Sequence, residues 1–161
     1  MYRKVMVPLD GSQLSECSLE HMKAIATGCH ITEVILLRVV EPLSSNEVSA
    51  LAQVGGNPIA ELETLYKTEA TDYIAGMVQK LVKEGVSVRG EVINGKAADT
   101  ILDYAGKNNV DLVIMSTHGR SGISRWAFGS VADKVVRYSI VPVLLVAPAS
   151  CRINTQQQIS L

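Results

Sequence analysis

Apolar residues along the chain fall into two patterns. In the first they form short, nearly continuous runs: residues 3–8 (RKVMVP), 34–40 (VILLRVV), 110–115 (VDLVIM) and 141–146 (VPVLLV). Runs of this length, rich in β-branched residues and apolar at successive positions, predict strands covered on both faces, as in a parallel sheet packed between helices. A further strand is expected from Val86 to Ile93, before a turn at Asn94 and Gly95. In the second pattern apolar residues recur every three or four positions, which predicts amphipathic helices. One such helix begins at about Ser12, whose hydroxyl can cap free backbone N–H groups. It carries Leu14, Cys17, Leu19, Met22, Ile25 and Ala26 inward and stops at Gly28. A long one starts at Ile59, turns Leu62, Leu65, Tyr66, Tyr73, Ile74, Met77, Val78, Leu81 and Val82 inward, and ends at Gly85. A third, from about Ala97, buries Ile101, Leu102 and Ala105 and closes at Asn108 and Asn109. The last begins near Ser130, with Asp133 three residues on as a capping-box-like partner.

The resulting order, βαβαβαβαβ, with right-handed crossovers gives an α/β fold: one open, five-stranded parallel sheet with helices on both faces. Residues 42–58 form a connection on the order of 15 residues, long for a compact domain, and Val48 to Leu51 within it fit a short helix. No internal repeat is evident. Residues 149–161, with three consecutive glutamines, have little apolar content and read as a flexible tail after a domain spanning 1–148.

Composition removes several functional classes. A length of 161 residues suffices for one domain with a sizeable core. The chain is 47% apolar and 19% charged, with a mean hydropathy of +0.20, which leaves apolar surface for a partner chain to cover. No apolar stretch approaches the roughly 18 residues of a membrane span, and Arg3 and Lys4 precede only a short apolar run, so neither an anchor nor a signal peptide is expected. A formal charge of −1 offers no broad positive field for nucleic acid. Three cysteines, Cys17, Cys29 and Cys151, without CxxC spacing fit a reducing cytoplasm rather than a disulfide framework.

Open parallel sheets bind ligands beyond the carboxyl ends of their strands, where strand order reverses. There the first and fourth strands would bring Pro8-Leu9-Asp10 opposite Met115-Ser116-Thr117-His118-Gly119. Asp10 can accept from ribose hydroxyls, and a loop with Gly119 and Gly122 lets backbone N–H groups approach phosphates. Ser130 at a helix N-terminus adds donors and a partial positive charge. The alternative is structural: Asp10 caps the first helix and the glycines only make turns.

Ser116-Thr117-His118-Gly119, nine residues, then Gly129-Ser130 resembles the nucleotide motif of the universal stress protein family, G-x2-G-x9-G-[ST]. The likeness extends to the opening Val7-Pro8-Leu9-Asp10-Gly11-Ser12, to Leu37-Arg38-Val39 and to the closing Pro142-Val143-Leu144-Leu145-Val146. The resemblance implies a Rossmann-like sheet of strand order 3-2-1-4-5. It also implies binding of an adenine nucleotide, ATP or ADP/AMP, with or without Mg2+, in a sensing or regulatory role. Pro8, Leu9 and Val39 would then line the adenine pocket, Asp10 would hold the ribose, and Met115 would sit beside the base. Gly119, Gly129, Ser130 and Val131 would cradle phosphates, with Arg120 assisting or ion-paired nearby. Ser116 departs from the motif, which has glycine there. Its hydroxyl can bond a phosphate or ribose, or its side chain can crowd the pocket and favour AMP or ADP, and a glycine-only backbone at this point would be the least favourable case. The resemblance further implies a homodimer through the last strand, Val141 to Val146, an apolar edge that needs cover.

A catalytic role would need a placed base, for which His118 is the candidate, although a histidine beside a motif glycine more simply fixes the loop. The GxxxxGK[ST] pattern of efficient phosphate hydrolysis is absent. His21 and His30 read as solvated or capping residues, and Trp126 with Phe128 as local packing or a partner contact. The alternatives to a nucleotide-binding module are a dimeric scaffold that binds none, which Ser116 favours, and a slow ATP hydrolase.

Overall fold

The computed structural model describes residues 2–53, 56–117 and 129–147. Its elements run β1 (Lys4–Pro8), α1 (Gln13–Cys29), β2 (Glu33–Val40), α2 (Ser45–Leu51), α3 (Pro58–Lys83), β3 (Val88–Asn94), α4 (Ala97–Lys107), β4 (Leu112–Ser116), α5 (Ser130–Tyr138) and β5 (Val143–Val146). The five strands form one sheet with all neighbours parallel, as the element order predicts, and its order, β3-β2-β1-β4-β5, is the one the family resemblance implies. Register places Val5 beside both Val34 and Leu112, so the centres of β1, β2 and β4 lie level.

Strand alternation divides the core into two layers. Val5, Val7, Val34, Leu36, Leu112 and Ile114 face α1 and α3, where they meet Leu19, Met22, Ile74, Met77 and Leu81. Met6, Ile35, Leu37, Val113 and Met115 face α4 and α5 and pack on Ala98, Ile101, Ala105, Ala132 and Val135. Both faces of β1, β2 and β4 are therefore dry, which is why these strands read as apolar at every position rather than at alternate ones. Each fully buried aliphatic side chain contributes about 2 kcal/mol of transfer free energy. Gly90 of β3 admits α3 closely: a Cβ there would strike the Ile74 Cγ2 methyl and lie 3.2 Å from Val78 Cγ2.

Several element ends differ from those the periodicity predicts. Ser12 is the N-cap of α1, accepting from the Ser15 amide, but the helix runs through Gly28 and ends at His30, which adopts the left-handed conformation with φ 55°. The nearby glycine is thus not the residue that terminates it. In α3 only Ala70, Ile74, Met77 and Leu81 are buried, while Leu65 and Val82 stay 59% and 55% exposed, because the stripe facing β2 and β3 is narrower than the apolar pattern suggests. β3 starts at Val88 rather than Val86, and β5 at Val143, with Pro142 just before it, where its carbonyl accepts from Val113 N–H. Within the 42–58 connection, α2 is held by a full capping box: Ser44 Oγ accepts from Glu47 N–H, and the Glu47 carboxylate accepts from Ser44 N–H at 2.8 Å. No helix among the described residues is long and apolar enough to cross a membrane.

Asp111 pins the lower edge of the sheet. Its Oδ2 accepts from the amides of Lys4 and Arg3, each at 2.8 Å, and these bonds hold the carboxyl below the usual range. A carboxylate more acidic folded than unfolded stabilises fully above its unfolded value, about pH 3.9, and that contribution fades as pH falls through the lower folded value. Asp111→Ala is expected to cost about 2 kcal/mol at neutral pH. In urea unfolding its deficit against wild type shrinks below about pH 4; a deficit unchanged at pH 3 would refute the assignment.

Candidate functional site

All five strands point their carboxyl ends to one side. From there β1 leads into α1 on one face of the sheet and β4 leads towards α5 on the other, so the strand order reverses between β1 and β4. Divergence of the two connections leaves a crevice at this point. A cleft of about 630 Å³ occupies it. Its floor is made by Pro8, Leu9 and Asp10 after β1 and by Met115, Ser116 and Thr117 at the end of β4. Val39 and Val40 of β2 with Ala97 and Ile101 of α4 form one wall, and Gly129 to Ala132 of α5 form another. Ser44, Glu47, Tyr66 and Glu69, from the α2 and α3 region, complete the rim.

Nine of the residues singled out in the sequence come together here: Pro8, Leu9, Asp10, Val39, Met115, Ser116, Gly129, Ser130 and Val131 all line the cleft. Gly119 and Arg120, with His118, Gly122, Trp126 and Phe128, lie outside the described residues, as does the segment 149–161. Asp10 serves its own turn: Oδ1 accepts from Ser12 N–H at 2.9 Å and from Ser12 Oγ–H at 2.6 Å. Ser12, not Asp10, caps α1, and Asp10, itself a residue of the cleft lining, fixes the capping serine. Ser116 is the last residue of β4, 7% exposed, in register with Val146. It is not among the described residues with positive φ, so any side chain can occupy its backbone conformation.

Four helix N-termini border the cleft, and among the described residues three are closed by side chains. Ser12 closes α1 and the Ser44–Glu47 box closes α2. At α4 the N-cap position is Lys96, which makes no capping bond, and Glu41 substitutes from the end of β2, accepting from Ala97 N–H at 3.0 Å. At α5 the N-cap is Gly129, which has no side chain, and Ser130 sits inside the helix. The expected Ser130–Asp133 capping box does not form, because the chain enters the helix one residue earlier than that pairing requires. First-turn N–H groups have no carbonyl of their own helix to bond, so α5 turns amide donors that no described side chain caps, and a partial positive charge of roughly half a unit, towards the cleft. Gly129 has φ −57°, open to every residue; its constraint is proximity, since its N–H donates to Thr117 O at 2.8 Å and a Cβ would lie 3.3 Å from that oxygen.

Sequence reasoning passed over Glu41, Tyr66 and Glu69. A helix opening at Ala97 after a lysine signals that its first amides need an outside acceptor, but not that Glu41 supplies it. Tyr66 and Glu69 reach the rim only because α3 extends past the sheet, a length that periodicity cannot translate into position. Glu47 is held below the ordinary carboxylate range by the hydroxyl and amide of Ser44.

The topology defines a doubly wound α/β protein with a cleft at the carboxyl edge of its sheet, where strand order reverses. The universal stress protein family model matches residues 1–147. Universal stress protein MJ0577 of Methanocaldococcus jannaschii is 31% identical over 155 residues, covering 91% of this chain and 95% of that protein. Its solved structure aligns with a TM-score of 0.77 at 30% identity over 96% of this chain and 99% of the other. The chain belongs to the universal stress protein family. Two more distant structures share the fold. One, a family member from Arabidopsis thaliana with AMP bound, has 17% identity and a TM-score of 0.61, covering 96% of this chain and 94% of the other. The other, a universal stress protein in complex with cAMP, has 22% identity and a TM-score of 0.59, covering 92% of this chain and 98% of the other.

Proposed function

We propose that this chain binds an adenine nucleotide (ATP, ADP or AMP, with Mg2+ where the phosphates need it) in the switch-point cleft and acts as a regulatory module in the cytoplasm rather than as an enzyme. The observation that carries the reading is the α5 N-terminus, which no described side chain closes at the cleft while α1, α2 and α4 are capped. A phosphate is the natural occupant of such a helix end. Pro8, Leu9, Val39 and Met115 supply the apolar surface a base requires, and Asp10 supplies an acceptor for ribose hydroxyls. Gly129, Ser130 and Val131, joined by Gly119 and Arg120, hold the phosphates, and Ser116 contributes its hydroxyl beside them. AMP and cAMP in two proteins of the same fold agree with the ligand class.

The scaffold alternative drew on Ser116, and its ordinary strand geometry weakens that argument, since no strained glycine site has been lost. Hydrolysis would require turnover that disappears in His118→Ala. We further propose homodimerisation along β5: it is an edge strand, and Tyr138 and Ile140 just before it are 67% and 82% exposed. Protein purified gently, then denatured, is expected to release an adenine nucleotide identifiable by mass. A preparation that carries none and takes none up at millimolar concentration would place the chain in the scaffold class.

A further inference from the structure

We infer that the cleft selects among adenine nucleotides by charge, preferring monophosphates and cyclic monophosphates to metal-free triphosphate, and that Glu69 sets part of that preference. The inference rests on the adenine-nucleotide reading given above. Three carboxylates from three separate elements line the cleft: Glu41 after β2, Glu47 on α2 and Glu69 on α3. Asp10 and Arg38, also lining it, carry one charge of each sign. Among the described residues that line the cleft, carboxylates therefore outnumber cations four to one. Lys96 and Lys134 border only a shallower groove alongside, where Glu41 meets Ser130 and Val131, and Lys134 is paired with Asp99 at 2.6 Å.

The three glutamates are not equivalent. Glu41 accepts from the first amide of α4 and Glu47 from the N-cap amide of α2, and the partial positive charge of each helix end offsets part of theirs. Glu69 sits in the interior of α3, exposed and far from either helix end, so its charge acts on the cleft without that compensation. A phosphate monoester carries about two negative charges at neutral pH, and each further phosphate adds about one. Those added charges fall in a cleft where unit charges at ten ångströms or so repel measurably even at near-aqueous dielectric. Unequal repulsion of this kind yields selectivity without any contact specific to AMP. A divalent cation on the triphosphate removes the difference.

The test is calorimetric titration of nucleotide-free wild type and Glu69→Lys with adenosine, cAMP, AMP and ATP, at low ionic strength in chelator and again with excess Mg2+. In chelator, wild type is expected to bind AMP roughly tenfold more tightly than ATP. The gap should narrow to about threefold or less in Glu69→Lys, and it should also narrow with Mg2+ and with added salt. ATP binding as tightly as AMP in chelator would overturn the inference while leaving the nucleotide reading intact. So would a gap that Glu69→Lys leaves unchanged, since discrimination would then come from elsewhere. Absence of heat with every ligand, adenosine included, would overturn both.

Discussion

Gly129→Asp is expected to lower adenine-nucleotide affinity by at least a hundredfold while leaving thermal stability unchanged or slightly raised. Gly129 already has the φ −57°, ψ 150° of an N-cap, and an aspartate in that conformation can bond the first-turn amides of α5. Aspartate is a better cap than glycine by a few tenths of a kcal/mol. The helix end that would otherwise take a phosphate becomes filled by the protein's own carboxylate, as Glu41 fills α4. A negative charge is added where the ligand brings its own. The new Cβ lies 3.3 Å from Thr117 O, a contact relieved by a few tenths of an ångström of movement. Gly129→Asn, an uncharged cap, should fall between the two. Thermal unfolding and titration of the same preparations separate the outcomes: loss of both stability and binding would mean that the glycine is structural, and loss of neither would remove α5 from the site.

Gly90→Ala is expected to destabilise the protein by about 2 kcal/mol, the usual cost of overpacking a filled core. For a chain of this size that lowers Tm by roughly 4–8 °C. The added methyl meets the Ile74 Cγ2 methyl directly, with Val78 Cγ2 at 3.2 Å, so α3 must lift from β3 or Ile74 must leave its rotamer. Because Ile74 is itself buried, Ile74→Ala alone also destabilises, by about 3 kcal/mol. The double variant should lose less than the sum of the two, since the alanine methyl enters space that Ile74 vacates. Strict additivity in urea unfolding would show that the two residues do not compete for space. α3 also carries Tyr66 to the rim of the cleft, so displacement of this helix should weaken binding in parallel.

The sheet was readable because its strands are covered twice. Residues 34–37 and 112–115 are apolar at every position and buried throughout, and the segments between the strands repeat at helical spacing instead, so the two kinds of element separate cleanly along the chain. The floor of the site followed from topology: once β1 and β4 are neighbours, Asp10 and Ser116 must end at the same crevice. Features set by three-dimensional approach were not readable. His30 terminates α1 although Gly28 offers the easier backbone, because the helix ends where the chain must turn towards β2. Ser130 has the composition of a cap, yet the Gly129 amide is drawn to Thr117 O and places the cap one residue earlier. The role of Glu41 depends on β2 and α4 meeting 56 residues apart in sequence, which no local pattern encodes.

The central claim is that a phosphate-bearing adenosine ligand sits in the switch-point cleft against α5. Titration of AMP into nucleotide-free wild type, with Gly129→Asp in the second cell, tests it most directly. The account predicts saturable binding near one nucleotide per chain with a sub-millimolar dissociation constant, lost in the variant. Heat of equal size in both proteins, or none in either at millimolar AMP, would contradict it.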